Sequence, residues 1–280
     1  MTSTTIRPPV AQATPGSSLG RPLLLALVTT AVLAINILSN VLPFNGLDTG
    51  TISDSFDIYF VPAGYVFAIW GLIYVGWFAY VIFNFLPRQR DSVVLRRLAP
   101  WYIVSGVANA AWLFAWHWQQ FELSVAIILV LLVSLVQCYR IVHSVPASSR
   151  AFFWMVQLPF SIYLAWACVA TIANITATLS LYTTSPLGIG PVAWSAIMIG
   201  VATLLGLIFS LVRADVGFVA VFVWALVGIA VKFSATPLVL WSAVVGAVLL
   251  AASLIYTLPN RRRRLAGAPA VAPNPALRRS

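Results

Sequence analysis

The sequence is poor in charge and in cysteine. Only 8% of its 280 residues are charged and 61% are hydrophobic, whereas an ordinary soluble protein is about 25% charged. Both cysteines, Cys138 and Cys168, lie inside apolar segments, so the sequence indicates no disulfide framework and no cysteine-rich metal site. These shortages exclude a soluble globular protein and predict an all-α polytopic membrane protein.

Long apolar runs predict about eight transmembrane helices, because a helix needs about 20 mostly apolar residues to cross a bilayer. Short stretches that contain charge, proline, glycine or serine separate the runs. Residues 1–20, which precede the first run, are rich in Thr, Ser and Pro, and we expect them to be disordered. The predicted spans are approximately 22–42, 62–86, 99–119, 122–144, 151–180, 191–212, 216–233 and 237–258.

The basic residues predict the orientation. In an eight-span arrangement all the arginines fall on one side of the membrane, and only Lys232 falls near the other. By the positive-inside rule both termini are then cytoplasmic, and we expect the protein in the inner (plasma) membrane of a bacterium. The Arg261–Arg264 run is interpreted mainly as part of this topology signal, with anionic lipid headgroups as a further partner. Since the arginines are spread over short loops, no nucleic-acid partner is indicated.

Charged residues are also missing from the middle of every predicted span. Ion-coupled transporters and proton pumps depend on such residues, so these classes are not indicated, whereas an uncoupled carrier stays open. His117 and His143 fall on opposite sides of the membrane, and no nucleophile–base pair or metal cluster indicates an enzyme. Neutral polar side chains do occur at depth, where they usually face the bundle interior: Asn36, Asn109, Gln157, Thr171 and Asn174.

Aromatic and polar side chains form stripes on three predicted helices, at spacings of three or four residues. At ~1.5 Å per residue, Trp70, Trp112 and Asn174 lie about 12, 10 and 9 Å from the outer ends of their helices. If the stripes face one another, they bound an aromatic pocket with a few polar contacts; alternatively, they are helix–helix packing. The stripes are Phe67, Trp70, Tyr74 and Trp77 in helix 2, Ser105, Asn109, Trp112 and Trp116 in helix 3, and Pro159, Tyr163, Trp166, Ala170 and Asn174 in helix 5.

The first outer loop, residues 43–61, is the longest connection between spans. It combines Phe44, Phe56, Tyr59 and Phe60 with three aspartates. Such a loop is expected to pack over the mouth of the bundle as a lid, or simply to fold on the outer surface.

Three motifs resemble the TspO/MBR family of tryptophan-rich sensory proteins, which are related to the mitochondrial translocator protein. Pro62-Ala-Gly-Tyr-Val-Phe-Ala-Ile-Trp-Gly-Leu-Ile-Tyr74 is similar to the family's PPGWVFGPVWTILY at the start of helix 2. Ala108-Asn-Ala-Ala-Trp112 matches LNxxW in helix 3, and residues between Pro159 and Asn174 fill much of PYxAWxxFAxxLN in helix 5. The resemblance covers roughly residues 20–180 and leaves helices 6 to 8 without a counterpart.

The resemblance implies a five-helix bundle over 21–180. The apolar runs add three helices in 181–259, and the basic cytoplasmic tail, 260–280, is expected to be disordered. It implies an apolar cavity under the first loop that binds a porphyrin, a haem-like tetrapyrrole or a sterol-like lipid, with no obligatory cofactor. Rings would stack on the ligand and amides would orient its polar edge. The predicted ligand-binding residues are Tyr65, Phe67, Trp70, Tyr74, Asn109, Trp112, Trp116, Tyr163, Trp166 and Asn174.

The functional hypothesis is therefore a membrane receptor or sensor for a flat hydrophobic ligand, linked by the resemblance to stress and light responses. The alternative is a carrier of a small hydrophobic compound that uses the same cavity. An enzyme is not expected from the residues, although light-dependent porphyrin breakdown has been proposed for some members of the family. A homodimer is also considered as an assembly.

Overall fold

A computed structural model describes residues 19–42 and 44–267, without the side chains that follow Pro259. Nearly all of the segment 1–20 and residues 268–280 therefore lie outside the described part of the chain. The side chains of Arg261–Arg264, named above as lipid contacts, lie outside it as well.

Eight apolar helices occur at the eight predicted positions, and no strand occurs in the described ranges. The prediction of an all-α polytopic membrane protein is therefore confirmed. The helices are α1 Gly20–Val41, α2 Ile69–Phe85 with a 3₁₀ turn Gly64–Ala68 before it, α3 Val93–His117, α4 Phe121–His143, α5 Arg150–Ser180, α6 Pro191–Arg213, α7 Val216–Lys232 and α8 Pro237–Gly267.

Seven of these helices are long and apolar enough to cross a membrane. The exception is α7, whose 17 residues place it at the lower limit of the range for a spanning helix. It is packed against α5 and α8, and ten of its residues are buried. Contacts with neighbouring helices therefore cover much of its surface.

Polar side chains fix the starts of three helices by accepting backbone N–H bonds that the first turn leaves unpaired. Ser92 caps α3, Ser149 caps α5 and Asp215 caps α7. Within α5, the turn Phe153–Gln157 is π-helical. Pro159 follows this turn and has no N–H to donate, which accounts for the wider turn before it.

The first five helices form a bundle in which α3 packs along α4, α1 packs on α3 and α2, and α5 packs on α4 and α2. The α7 helix joins this bundle to α6 and α8. It docks on the start of α2, where the Ala63 backbone N–H donates to the Gly228 carbonyl at 3.2 Å and the Trp224 indole donates to the Val66 carbonyl at 3.0 Å. The three further helices are thus packed onto the five-helix section.

The first loop packs onto one end of the bundle. Its Phe44 ring stacks on Phe114 of α3 at 5.1 Å, and a short loop helix, Thr49–Asp54, is capped by the Asp48 carboxylate. On the other side, the Asp54 carboxylate pairs with Lys232 of α7. The loop therefore bridges α3 and α7. We call this end of the molecule the loop end. The opposite end, where Arg140, Arg150 and Arg213 lie, is called the arginine end.

Candidate ligand-binding site

Aromatic rings from α2 and α5 meet in the middle of the bundle. Trp70 lies edge-on to Trp166 at 6.4 Å and to Tyr163 at 6.2 Å, and Tyr163 also contacts Trp77 at 5.4 Å. Phe67 contacts Trp166 at 5.7 Å, so these rings form one continuous group. Tyr163, Trp166 and Trp77 are buried, whereas Phe67 and Trp70 are half-buried at its edge. We call these five residues the aromatic cluster.

A chain of buried amides lies beside the aromatic cluster. The Asn36 side-chain N–H of α1 donates to Asn109 Oδ1 of α3 at 2.7 Å, and the Tyr74 hydroxyl of α2 donates to Asn36 Oδ1 at 3.1 Å. Tyr74 also stacks on Trp70 at 5.8 Å, which joins the amides to the rings. Bonds of this kind across helices hold membrane bundles together where no water is available.

Four buried donors in this region have no acceptor among the described residues. They are the indole N–H groups of Trp77 and Trp166, the Tyr163 hydroxyl and the Asn109 side-chain N–H. The Asn109 side chain and the Tyr163 hydroxyl face each other in a weak polar contact, which does not reach the geometry of a regular hydrogen bond. Since leaving a buried donor unpaired costs about 1–3 kcal/mol, four of them around one ring cluster indicate a place for an acceptor-bearing molecule.

A second polar contact lies nearer the loop end. The Trp112 indole of α3 donates to Asn174 Oδ1 of α5 at 2.8 Å, and the Asn174 side-chain N–H donates to Ser124 Oγ of α4 at 2.9 Å. Trp112 also stacks on Trp116 at 5.4 Å. The structure therefore brings the third- and fifth-helix stripes into direct contact at this level.

The remaining two predicted residues lie away from the aromatic cluster. Trp116 is buried under the first loop, where its indole donates to the Thr49 carbonyl at 3.4 Å and its ring contacts Phe56 and Phe121. Tyr65 is 46% exposed and lies edge-on to Trp224 of α7 at 5.3 Å. The structure thus gathers Phe67, Trp70, Tyr74, Asn109, Tyr163 and Trp166 together, places Trp112 and Asn174 beside Trp116, and leaves Tyr65 outside.

The structure also contains a large groove elsewhere, which none of the ten predicted residues lines. It has a volume of about 1250 Å³ and runs between α2, α5 and α7 toward the arginine end, where Tyr139, His143, Ser161 and Asp215 form its polar part. Among the described residues, no group of three or more His, Cys, Asp or Glu side chains could hold a metal ion.

Comparison with known proteins shows the family of the chain. A family model described as TSPO-like protein matches residues 22–256, more than four fifths of the chain. The chain belongs to the TSPO-like protein family. The match extends past residue 180, where the sequence resemblance was expected to end, and so includes all three further helices. No curated protein and no solved structure matches the chain.

Membership of the TSPO-like family indicates a membrane sensor or binding protein in general terms. The structure adds two residues to the aromatic cluster and its amides that were not among the predicted ligand-binding residues. Asn36 joins α1 to α2 and α3, and the only sequence signal for it is an amide in the middle of an apolar run. Trp77 stands in the helix-2 stripe, but the family resemblance did not assign it to the ligand-binding residues.

Proposed function

We propose that this TSPO-like protein is a membrane receptor for a flat, hydrophobic ligand of the porphyrin type, bound against the aromatic cluster. The observation that carries the proposal is the set of four unpaired donors on Trp77, Asn109, Tyr163 and Trp166. A tetrapyrrole has large ring faces for stacking and carboxylate oxygens that accept hydrogen bonds, so it complements both features.

Access to the site requires some rearrangement. The rings of the aromatic cluster are in contact at centroid distances of 5.4 to 6.4 Å, so a macrocycle enters only when one of these contacts opens. Phe67 and Trp70 are half-buried and lie on the edge of the cluster. We expect these two rings to move on binding, because the other members are enclosed on all sides.

The sharpest test compares two tyrosines that differ in their partners. Tyr163→Phe removes a hydroxyl that makes only a weak contact with Asn109 and no regular hydrogen bond, so the unliganded protein should be about as stable as wild type. The same change should weaken protoporphyrin binding about three- to tenfold, the effect of one lost hydrogen bond. Binding is measured by saturable quenching of tryptophan fluorescence in detergent micelles.

The matched control is Tyr102→Phe. The Tyr102 hydroxyl is hydrogen-bonded to Thr29 at 2.6 Å, and its ring contacts Tyr80 and Phe160 rather than a member of the aromatic cluster. Its removal should lower the free energy of unfolding by about 1 kcal/mol and leave the dissociation constant for protoporphyrin unchanged. If Tyr163→Phe binds like wild type, or if both variants weaken binding alike, the proposed site is wrong.

The carrier hypothesis is separated by transport. A receptor predicts saturable binding with no counterflow of ligand from proteoliposomes. Counterflow that is lost together with binding in Tyr163→Phe would instead establish the protein as a carrier that uses the same residues.

A further inference from the structure

The groove between α2, α5 and α7 is a separate feature from the aromatic cluster. Along α7 it extends from Asp215 to Trp224, a distance of about 14 Å at ~1.5 Å per residue. Half of a bilayer's hydrocarbon core is about 15 Å thick. The groove therefore has the length that one acyl chain occupies in a single leaflet.

The sides of the groove are apolar and open outward. Leu72 and Val216, both of which line it, are 51% and 45% exposed, and Ile69, Ile162 and Val221 form part of its inner wall. On a helix that faces the bilayer, such exposed side chains meet lipid rather than water. A chain in the groove can therefore enter sideways from the membrane.

The polar end of the groove contains one half-buried carboxylate whose oxygens already accept hydrogen bonds. Asp215 Oδ2 accepts from the Tyr139 hydroxyl at 2.9 Å and from Ser161 Oγ at 2.7 Å, and it lies 3.8 Å from His143 Nε2. Asp215 Oδ1 accepts from the Phe218 backbone N–H at the start of α7. These bonds and the positive end of the α7 dipole offset the negative charge.

Arg213, by contrast, is an exposed cation on the rim of the same groove. No carboxylate of the described residues lies within ion-pair distance of its guanidinium. Trp154, 62% exposed, also lines the groove, as expected of an indole at the membrane–water interface. The free charge of the polar end is therefore positive, and basic sites between transmembrane helices favour anionic headgroups.

We infer that this groove is a binding site for one anionic glycerophospholipid of the leaflet at the arginine end. Its phosphate pairs with Arg213, and one acyl chain lies along α7 between α2 and α5. The groove lies where α7 packs against the five-helix section. A lipid bound in it would therefore contact both the five-helix section and the three further helices.

The test counts bound phospholipid by native mass spectrometry after delipidation and addition of phosphatidylglycerol or phosphatidylcholine. Wild type should hold one tightly bound phosphatidylglycerol in preference to phosphatidylcholine. Arg213→Gln should reduce that preference about tenfold, as expected for one charge-assisted hydrogen bond. Arg140→Gln, which alters an exposed arginine at the end of α4 that does not line the groove, should leave the preference unchanged.

A second pair of variants tests the acyl-chain part of the groove. Ala220→Phe fills it from an exposed position on α7 and should remove the tightly bound lipid of either headgroup, whereas Ala251→Phe on the exposed face of α8 should not. The inference is overturned if Arg213→Gln and Arg140→Gln lower the preference equally, or if Ala220→Phe retains the lipid. It is also overturned if wild type binds both headgroups with the same affinity.

Discussion

A methyl group added at Gly228 measures how closely α7 is docked on the start of α2. In Gly228→Ala the new Cβ would lie 2.2 Å from Val66 Cγ2 and 3.1 Å from Pro62 Cβ, whereas carbon atoms in good contact are ~3.5–4.0 Å apart. Val66 is fully buried and β-branched, so it cannot turn away. Overpacking of this kind costs about 3 kcal/mol at the upper end of its range.

The net effect is smaller, because alanine is a better helix former than glycine by about 1 kcal/mol. We therefore expect Gly228→Ala to lower the free energy of unfolding by about 2 kcal/mol. The matched control is Gly200→Ala in α6, whose added Cβ meets no atom within 4 Å. It should raise stability by up to about 1 kcal/mol.

Reversible SDS unfolding in mixed micelles compares the two variants with wild type. If Gly228→Ala is as stable as Gly200→Ala, then α7 does not approach α2 as closely as the structure shows. In that case the described contact between α7 and the five-helix section would be wrong. The groove between α2, α5 and α7 would then lack one of its walls.

Three further predictions concern the loop end and the orientation. Asn174→Leu should destabilise the bundle by about 1–2 kcal/mol in thermal unfolding. Its effect should be non-additive with that of Trp112→Phe, because the two side chains are hydrogen-bonded to each other. Additive effects would contradict that hydrogen bond. Hydrogen bonds from a threonine hydroxyl and from backbone N–H groups of the loop helix lower the pKa of Asp48. The Asp48 carboxylate therefore stabilises the loop fully above the ordinary pKa near 3.8, and this stabilisation is lost as the pH falls through the lowered pKa. The protection factors of the loop amides against hydrogen exchange, taken relative to intrinsic rates at each pH, should fall accordingly at low pH, and Asp48→Ala should abolish this dependence at a cost of about 1 kcal/mol. An impermeant maleimide should label Ser55→Cys but not Ser148→Cys in intact cells, because the first loop is predicted to lie outside and the connection between α4 and α5 in the cytoplasm. Both native cysteines are buried and should not react. The reverse labelling pattern would invert the predicted orientation.

Most of the fold was predictable because length and apolar composition decide whether a segment can span a bilayer. All eight helices occur at the predicted positions, but α3 begins six residues before its predicted start at 99 and α8 continues nine residues past its predicted end at 258. Local departures were not predictable in the same way. The π-helical turn Phe153–Gln157 depends on where the N–H missing from Pro159 falls relative to the packing of α5, which the apolar pattern alone does not show.

The site was predictable only in part, because helix periodicity gives the face of a residue but not its partner. Depth along each helix placed Trp70, Trp112 and Asn174 at one level. Trp112 and Asn174 are hydrogen-bonded, whereas Trp70 contacts Tyr163 and Trp166 instead. The same reasoning could not separate Trp116, which the loop buries, from Trp70, which meets α5. Tyr65 was assigned by resemblance, and it faces Trp224 of α7.

The groove at the arginine end was not predictable from any motif. Its polar part joins Tyr139 and His143 of α4, Ser161 of α5 and Asp215 of α7, which are distant in the sequence. Only the packing of α7 against α5 brings them together. A single carboxylate in a short connection between spans gives no sign of such neighbours.

The most direct test of the central claim is an experimental structure of the protein with protoporphyrin in lipid nanodiscs. We expect the macrocycle to lie against Trp70 and Trp166, with a ligand oxygen about 3 Å from the Tyr163 hydroxyl or from Asn109 Nδ2. A macrocycle found only in the groove beside Arg213, or a saturated sample in which the rings of the aromatic cluster remain closed with nothing between them, would contradict it.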